Sequence, residues 1–277
     1  MQAPRKLIVF CSQEAYIFSN KMRVLLFVPC YIDQLFPKVA ESTLKVLKHL
    51  GCEVFFPANQ TCCGQPAYNS GYFEEARFMA AHEVNAFLKF KSSIASKDVE
   101  FDPAKDYVVG PSSSCVAMIR NFYPSLLSDD SHSAEQIEKL APRIFELTEF
   151  LGKVIQVENF KGRLNATVSY HDSCHGLREL GLRSEARHIL KRIEGLKLVD
   201  LPYNETCCGF GGTFAVKFPE ISCSMADEKL RNFSSTQADI LVSGDTSCLM
   251  HLQGRARHNG MTQRFAHIAE IMAESLD

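Results

Sequence analysis

The sequence predicts an α/β protein built as a tandem repeat: two homologous lobes, each a small parallel sheet with flanking helices. Three observations predict it. Pro57-Ala58-Asn59-Gln60-Thr61-Cys62-Cys63-Gly64 recurs as Pro202-Tyr203-Asn204-Glu205-Thr206-Cys207-Cys208-Gly209, with six of eight positions identical, and such self-similarity marks a duplicated unit. A wider cysteine frame repeats with it. Cys30, Cys62, Cys63 and Cys115 correspond to Cys174, Cys207, Cys208 and Cys248, at offsets of 144, 145 and 133 residues. Finally, short apolar strands alternate with amphipathic helices in both halves, the pattern of parallel sheets joined by right-handed crossovers.

Each element has a local reason. Residues 1–21 fit poorly into the repeat, so Met22 is the expected start and 1–21 an extension outside the fold. Residues 23–28 are apolar throughout, as a buried parallel strand is. A helix over 37–50 opens on Pro37, carries Val39, Leu44, Leu47 and Leu50 as a stripe, and closes at Gly51. A strand over 53–56 delivers the first Cys-Cys-Gly. A helix over 72–90 follows, then a polar surface loop near 91–105 that accounts for the shorter third offset. A strand over 107–109 and a turn, Ser112-Ser113-Ser114-Cys115, open a helix through Arg120. The first lobe is thus 22–123. Residues 124–163 read as a linker with helices, one of them over 142–151.

The second lobe, 164–277, repeats the order. Strands are expected over 166–170, 196–201, 239–242 and 264–265. Helices are expected over 184–194, 219–232, from Ser247 to about Arg255, and over 266–275. Every cysteine of the frame lies just after a strand, on the edge where open α/β sheets bind ligands. Both lobes are Rossmann-like in this sense.

At 277 residues, 46 % hydrophobic and 22 % charged, the chain has the composition of a globular protein with room for two lobes. A net charge of −2 gives no electrostatic footprint for nucleic acid. No apolar run reaches the roughly 18 residues of a membrane span. No signal peptide is visible, so a cytoplasmic location and reduced thiols are expected. Eleven cysteines, about 4 %, fall short of the 8–10 % of a disulfide scaffold. Cysteines at fixed spacing then point to metal binding or catalysis.

Four thiolates per lobe can hold zinc or an iron–sulfur cluster. Structural zinc sites pair cysteines two to four residues apart, whereas here the paired cysteines are adjacent. Adjacent side chains diverge and more easily reach two metal atoms of one cluster. The following glycine permits a positive φ and brings backbone N–H groups close to sulfur. Zinc, and buried inert thiols, remain the alternatives.

These motifs carry a family resemblance. Cys…Cys-Cys-Gly…Cys resembles the cysteine-rich CCG domain, found twice in heterodisulfide reductases and in related electron-transfer proteins. Phe36-Pro37, Thr61 to Gly71, His171 to Leu180 and Cys207 to Phe214 are similar to the lactate-utilisation protein A family, over about 22–272. The resemblance implies an iron–sulfur electron-transfer subunit of a complex oxidising L-lactate to pyruvate. It also implies [4Fe–4S] clusters, one or two per chain, held by Cys30, Cys62, Cys63 and Cys115 and by Cys174, Cys207, Cys208 and Cys248. The heterodisulfide reductase pattern ends in a fifth cysteine. Here Met118 and His251 stand in its place, so an ordinary four-thiolate site is expected. No ferredoxin-type cysteine run is present, which implies partner subunits, one of them carrying such clusters, and an oxidoreductase subunit inactive alone. A disulfide reductase subunit and a zinc-stabilised interaction module are the alternatives.

His171 and His175 flank Cys174 and are candidate catalytic or proton-handling residues, because imidazole titrates near neutral pH. Arg178 and Arg183 can hold a carboxylate, though solvated arginine is the simpler reading. Gly209-Phe210-Gly211-Gly212 lacks the full dinucleotide fingerprint. Cys52 and Cys223 read as core thiols.

Overall fold

A computed structural model describes residues 22–91, 98–158 and 160–277. The expectation for the extension 1–21 lies outside these residues. In the first lobe β1 (Arg23–Leu26) leads through α1 (Cys30–Leu35) and α2 (Pro37–His49) to β2 (Glu53–Phe55). Next come α3 (Gln65–Asn69), α4 (Phe73–Leu88) and an antiparallel hairpin of β3 (Lys89–Lys91) and β4 (Asp98–Glu100). β5 (Asp106–Gly110) delivers α5 (Ser113–Ala117), which runs on through a π-helical turn, Met118–Phe122, into α6 (Tyr123–Leu126). α7 (Ser131–Leu140), β6 (Ile144–Glu146), α8 (Leu147–Glu149) and a second π-helical stretch, Phe150–Ile155, complete the half.

The second lobe starts with β7 (Arg163–His171), a π-helical turn at His175–Glu179, α9 (Glu185–Leu190) and β8 (Glu194–Leu198). Then come α10 (Thr213–Lys217), α11 (Pro219–Ser235), β9 (Ile240–Ser243), α12 (Thr246–His258), β10 (Arg264–His267) and α13 (Ile268–Glu274). The two main sheets are parallel throughout and have the same order, β2-β1-β5-β6 and β8-β7-β9-β10. The α/β class and the two similar lobes are as expected.

Strand pleating explains the layers, since successive side chains point to opposite faces. From β1, Val24 and Leu26 enter a central core that also holds Val168 of β7 and Val242 of β9. Leu25 and the following Phe27 enter an outer core under α4 and α7. On the far side Leu241 enters a third core under α11 and α12. The central core is common to both lobes, and its helices are exchanged. α13 of the second lobe packs on α2 of the first, while α8 and its π-helical extension pack on α9 of the second.

Three expectations are corrected. The helix over 142–151 is instead the edge strand β6 followed by α8. Ile144 and Glu146 are buried on either side of half-buried Phe145, and three residues are too few to show a period of two. Leu147, Phe150 and Leu151 supplied the helical spacing. The end of the helix expected over 72–90 and part of the loop expected near 91–105 instead pair as the hairpin β3–β4, with Phe90 buried against Phe55 at 5.3 Å between ring centroids. Cys52 is buried in the central core, but Cys223 is only half-buried. Among the described residues no helix is long and apolar enough to cross a membrane.

Candidate metal centre

Both copies of Thr-Cys-Cys-Gly bend back over the ends of their sheets, and the glycine makes the bend. Gly64 and Gly209 have φ of +77° and +93°, in the region that favours a residue without Cβ. Gly209 N–H then donates to Cys207 Sγ at 3.4 Å, and Phe210 N–H to Cys208 Sγ at 3.5 Å. The first loop is tied to its sheet by Gln60, whose Oε1 accepts from Val28 N–H at 2.6 Å and whose Nε2 donates to the Leu26 carbonyl at 3.1 Å. Buried Tyr123 donates its hydroxyl to the Cys63 carbonyl at 2.9 Å. In the second loop Asn204 donates to buried Asp172 at 2.6 Å, and Arg187 pairs with the same carboxylate at 2.9 and 2.6 Å.

The third position of each frame sits in the first turn of a helix, where backbone N–H groups lack intrahelical partners. Cys115 lies in α5, whose first turn is capped by Ser112 Oγ, and Cys248 lies in α12, capped by Asp245. Asp245 does more than cap. One carboxylate oxygen accepts from Ser247 N–H at 3.1 Å and the other from Ser114 N–H of the first lobe at 2.8 Å.

Within each lobe the four thiols touch in a chain. Cys30 lies 3.5 Å from Cys62, and Cys63 bridges Cys62 to Cys115 by thiol hydrogen bonds. Cys208 lies 3.1 Å from Cys248, and Cys207 bonds both Cys174 and Cys208. Hydrogen bonds from neighbouring thiols hold Cys62 and Cys207 below the ordinary thiol range. Their donors Cys30 and Cys174 are pushed up by giving those bonds and by burial.

All eight cysteines, from both lobes, line a single cavity of about 330 Å³. Four converging soft donors on each side suit zinc or iron–sulfur chemistry, and the donor sets fit a resident metal group. His171 adds to this. It is fully buried, neither ring nitrogen has a hydrogen-bond partner, and it lies with Cys208 and Cys248 in a group whose donor atoms are all within 4.8 Å of one another.

His175 also lines the cavity, with Nδ1 3.6 Å from Cys174 Sγ and Nε2 3.3 Å from Gln65 Nε2 of the first lobe. Met118 is buried in the outer core and does not line the cavity. His251 is turned to Ser222 Oγ at 3.2 Å, and that hydroxyl donates to the Gly209 carbonyl. Arg178 is exposed, and Arg183 pairs with Glu205 at 3.6 Å on the surface. Two buried charges near the loops carried no signal in the sequence. Glu83 of α4 and Lys229 of α11 lie on helix faces whose spacing alone reads as ordinary amphipathic pattern.

The cysteine-rich domain family CCG matches residues 24–120 and again 168–253. Lactate utilization protein A 2 of Bacillus cereus (strain Q1) is 40 % identical over 255 residues, covering 92 % of this chain and 99 % of that protein. Lactate utilization protein A of an Exiguobacterium species is 43 % identical over 253 residues, covering 91 % and 98 %. A hypothetical protein from Helicobacter pylori of known structure superimposes with a TM-score of 0.59 at 11 % identity, over 92 % of this chain and 49 % of that one, a likeness of fold alone. With the domain found in both halves and two-fifths identity along nine-tenths of its length, the chain belongs to the lactate utilization protein A family of tandem cysteine-rich proteins.

Proposed function

We propose that the chain is an iron–sulfur electron-transfer subunit of a cytoplasmic complex that oxidises L-lactate to pyruvate. One [4Fe–4S] cluster per lobe would be held by Cys30, Cys62, Cys63 and Cys115 and by Cys174, Cys207, Cys208 and Cys248. The observation that carries this reading is the convergence of all eight cysteines on one cavity. The relatives' name supports the link to lactate. Such a group, when bound, takes up and releases single electrons.

The chain's own residues prepare the sites. Cys62 and Cys207 offer thiolates, and Gly64 and Gly209 turn the loops so that backbone N–H groups face sulfur. Gln60 and Tyr123 fix the first loop. His175 stands at the cavity beside Cys174, its Nδ1 3.6 Å from the sulfur. Lactate oxidation releases two electrons and two protons. The hydroxy-acid site and ferredoxin-type clusters would belong to partner subunits, without which this chain turns over poorly.

The test is metal analysis of the chain purified without oxygen. About eight iron and eight acid-labile sulfide per chain are expected, with an electron paramagnetic resonance signal on reduction. Zinc without iron would leave a zinc-stabilised interaction module. A second reading, a disulfide reductase subunit, draws on the shared cavity, which lets both sets face one disulfide. Met118 and His251, in place of fifth thiolates, weigh against it. Stoichiometric cleavage of an aromatic disulfide by the reduced protein would favour it.

A further inference from the structure

The two cysteine sets are alike in sulfur and unlike in what stands behind them. The register is fixed by the glycines. A Cβ on Gly64 would face Ala76 and Met79, and one on Gly209 would face Ser222 and Met225. The same register along α4 and α11 brings Glu83 and Lys229 to equivalent places. Likewise Phe27 and His171 are equivalent, each three residues before the first cysteine of its set.

Glu83 is fully buried behind the first loop. Its Oε2 accepts from Thr61 N–H at 2.6 Å and Thr61 Oγ1 at 3.2 Å, and its Oε1 has no partner. Lys229, 1 % exposed, is its counterpart behind the second loop. Its Nζ donates to the carbonyls of Tyr203 at 2.6 Å and Asn204 at 3.1 Å. Phe27 is buried against Phe87 at 5.6 Å between centroids and offers no polar atom. His171 offers an N–H that nothing else accepts, close to Cys208 and Cys248.

We propose that the second lobe holds its group at the higher reduction potential, because Lys229 and His171 stand where the first lobe has Glu83 and Phe27. This rests on the iron–sulfur reading above. The physical cause is direct. A reduced cluster carries one more negative charge, so a nearby cation and an N–H aimed at its sulfurs stabilise reduction, while a carboxylate opposes it.

The other charges nearby do not reverse the sign. Asp172 is already committed to its two-point pair with Arg187. Asp245 faces the second set and works against the shift, but its carboxylate is hydrogen-bonded by the N–H groups of Ser247 and Ser114 at the starts of α12 and α5. His171 is fully buried with neither ring nitrogen bonded to protein, so it brings the second set a ring N–H that the first set lacks. Burial lowers Lys229 to about 8, which leaves it protonated near neutral pH. Burial raises Glu83 to about 7, and a neutral Glu83 still leaves the cation of the second lobe unmatched in the first.

The test is a redox titration of the full chain, loaded with iron and sulfide and followed by electron paramagnetic resonance. Cys62→Ser and Cys207→Ser assign each signal to its lobe. Two midpoints are expected, the higher belonging to the second lobe. Lys229→Met should lower that midpoint alone, by about tenfold in the one-electron equilibrium constant, or about 59 mV. His171→Phe should move it the same way, and Glu83→Gln should raise the other midpoint. Lys229→Arg, which keeps the charge and a donor, should restore the wild-type value and guards against a variant that merely folds badly. A single midpoint, the reverse order, or variants that move neither signal would overturn the gradient while the iron–sulfur reading stands. Absence of iron would sink that reading, and this inference with it.

Discussion

His267 and Glu146 are equivalent residues with opposite answers to pH. Each caps the helix after the last strand of its sheet. His267 Nδ1 accepts from Ala269 N–H at 3.1 Å, and Glu146 Oε2 accepts from Thr148 N–H at 2.7 Å. Burial holds His267 at about 4, below its ordinary 6.5. Its contribution to stability is therefore complete above pH 6.5 and lost as pH falls through 4, on the order of 3 kcal/mol in all. Burial raises Glu146 to about 7, so its contribution is complete below the ordinary carboxylate range and lost as pH rises through 7. His267→Asn keeps a capping acceptor and removes the titration. The variant should lose less melting temperature than wild type between pH 7 and pH 4.5, measured by circular dichroism. At this scale the cysteines were legible because their spacing repeats, and His171 because it stands beside Cys174. Glu83 and Lys229 were not, since a charge on a helix of mixed pattern reads as solvated until its burial is seen.

Among the elements, the Cys-Cys-Gly loops show how alike copies diverge in tolerance. A Cβ on Gly209 would sit 2.7 Å from the Ser222 carbonyl oxygen and 2.9 Å from Met225 Cβ, whereas at Gly64 the nearest atoms are 3.4 Å away. Both alanine variants bear a left-handed penalty of about 1–2 kcal/mol. Gly209→Ala adds overpacking and should lose at least about 1 kcal/mol more than Gly64→Ala in urea unfolding. The long elements were legible in the sequence. α2 begins on Pro37 and α11 on Pro219, and their stripes are several turns long. Short ones escaped. α1, α3 and α10 have five or six residues, too few for a period, and β6 was hidden by the helical spacing that starts at Leu147.

Across the whole molecule, the duplication was legible but the exchange of helices was not, because packing partners between lobes leave no mark in local pattern. The shared central core has a thermodynamic consequence. Fully buried Ile271 of α13, which packs on α2, belongs to the second lobe by sequence and to both by contact. Ile271→Ala should cost about 2–5 kcal/mol. Unfolding should remain one transition, with hydrogen exchange in β1 accelerating together with that in β7. Two separate transitions would show that the lobes are independent.

The reciprocal seating of α13 on α2 and of α8 on α9 also bears on how such a chain can arise. One half alone would carry a last helix with no seat and a first helix with a bare face. Two identical halves would satisfy each other, as the protomers of an isologous dimer do. Joining them into one polypeptide frees the two sides from identity while keeping their common chamber. Mutations at one site then no longer fall on both, and a carboxylate on one side can stand opposite an ammonium on the other.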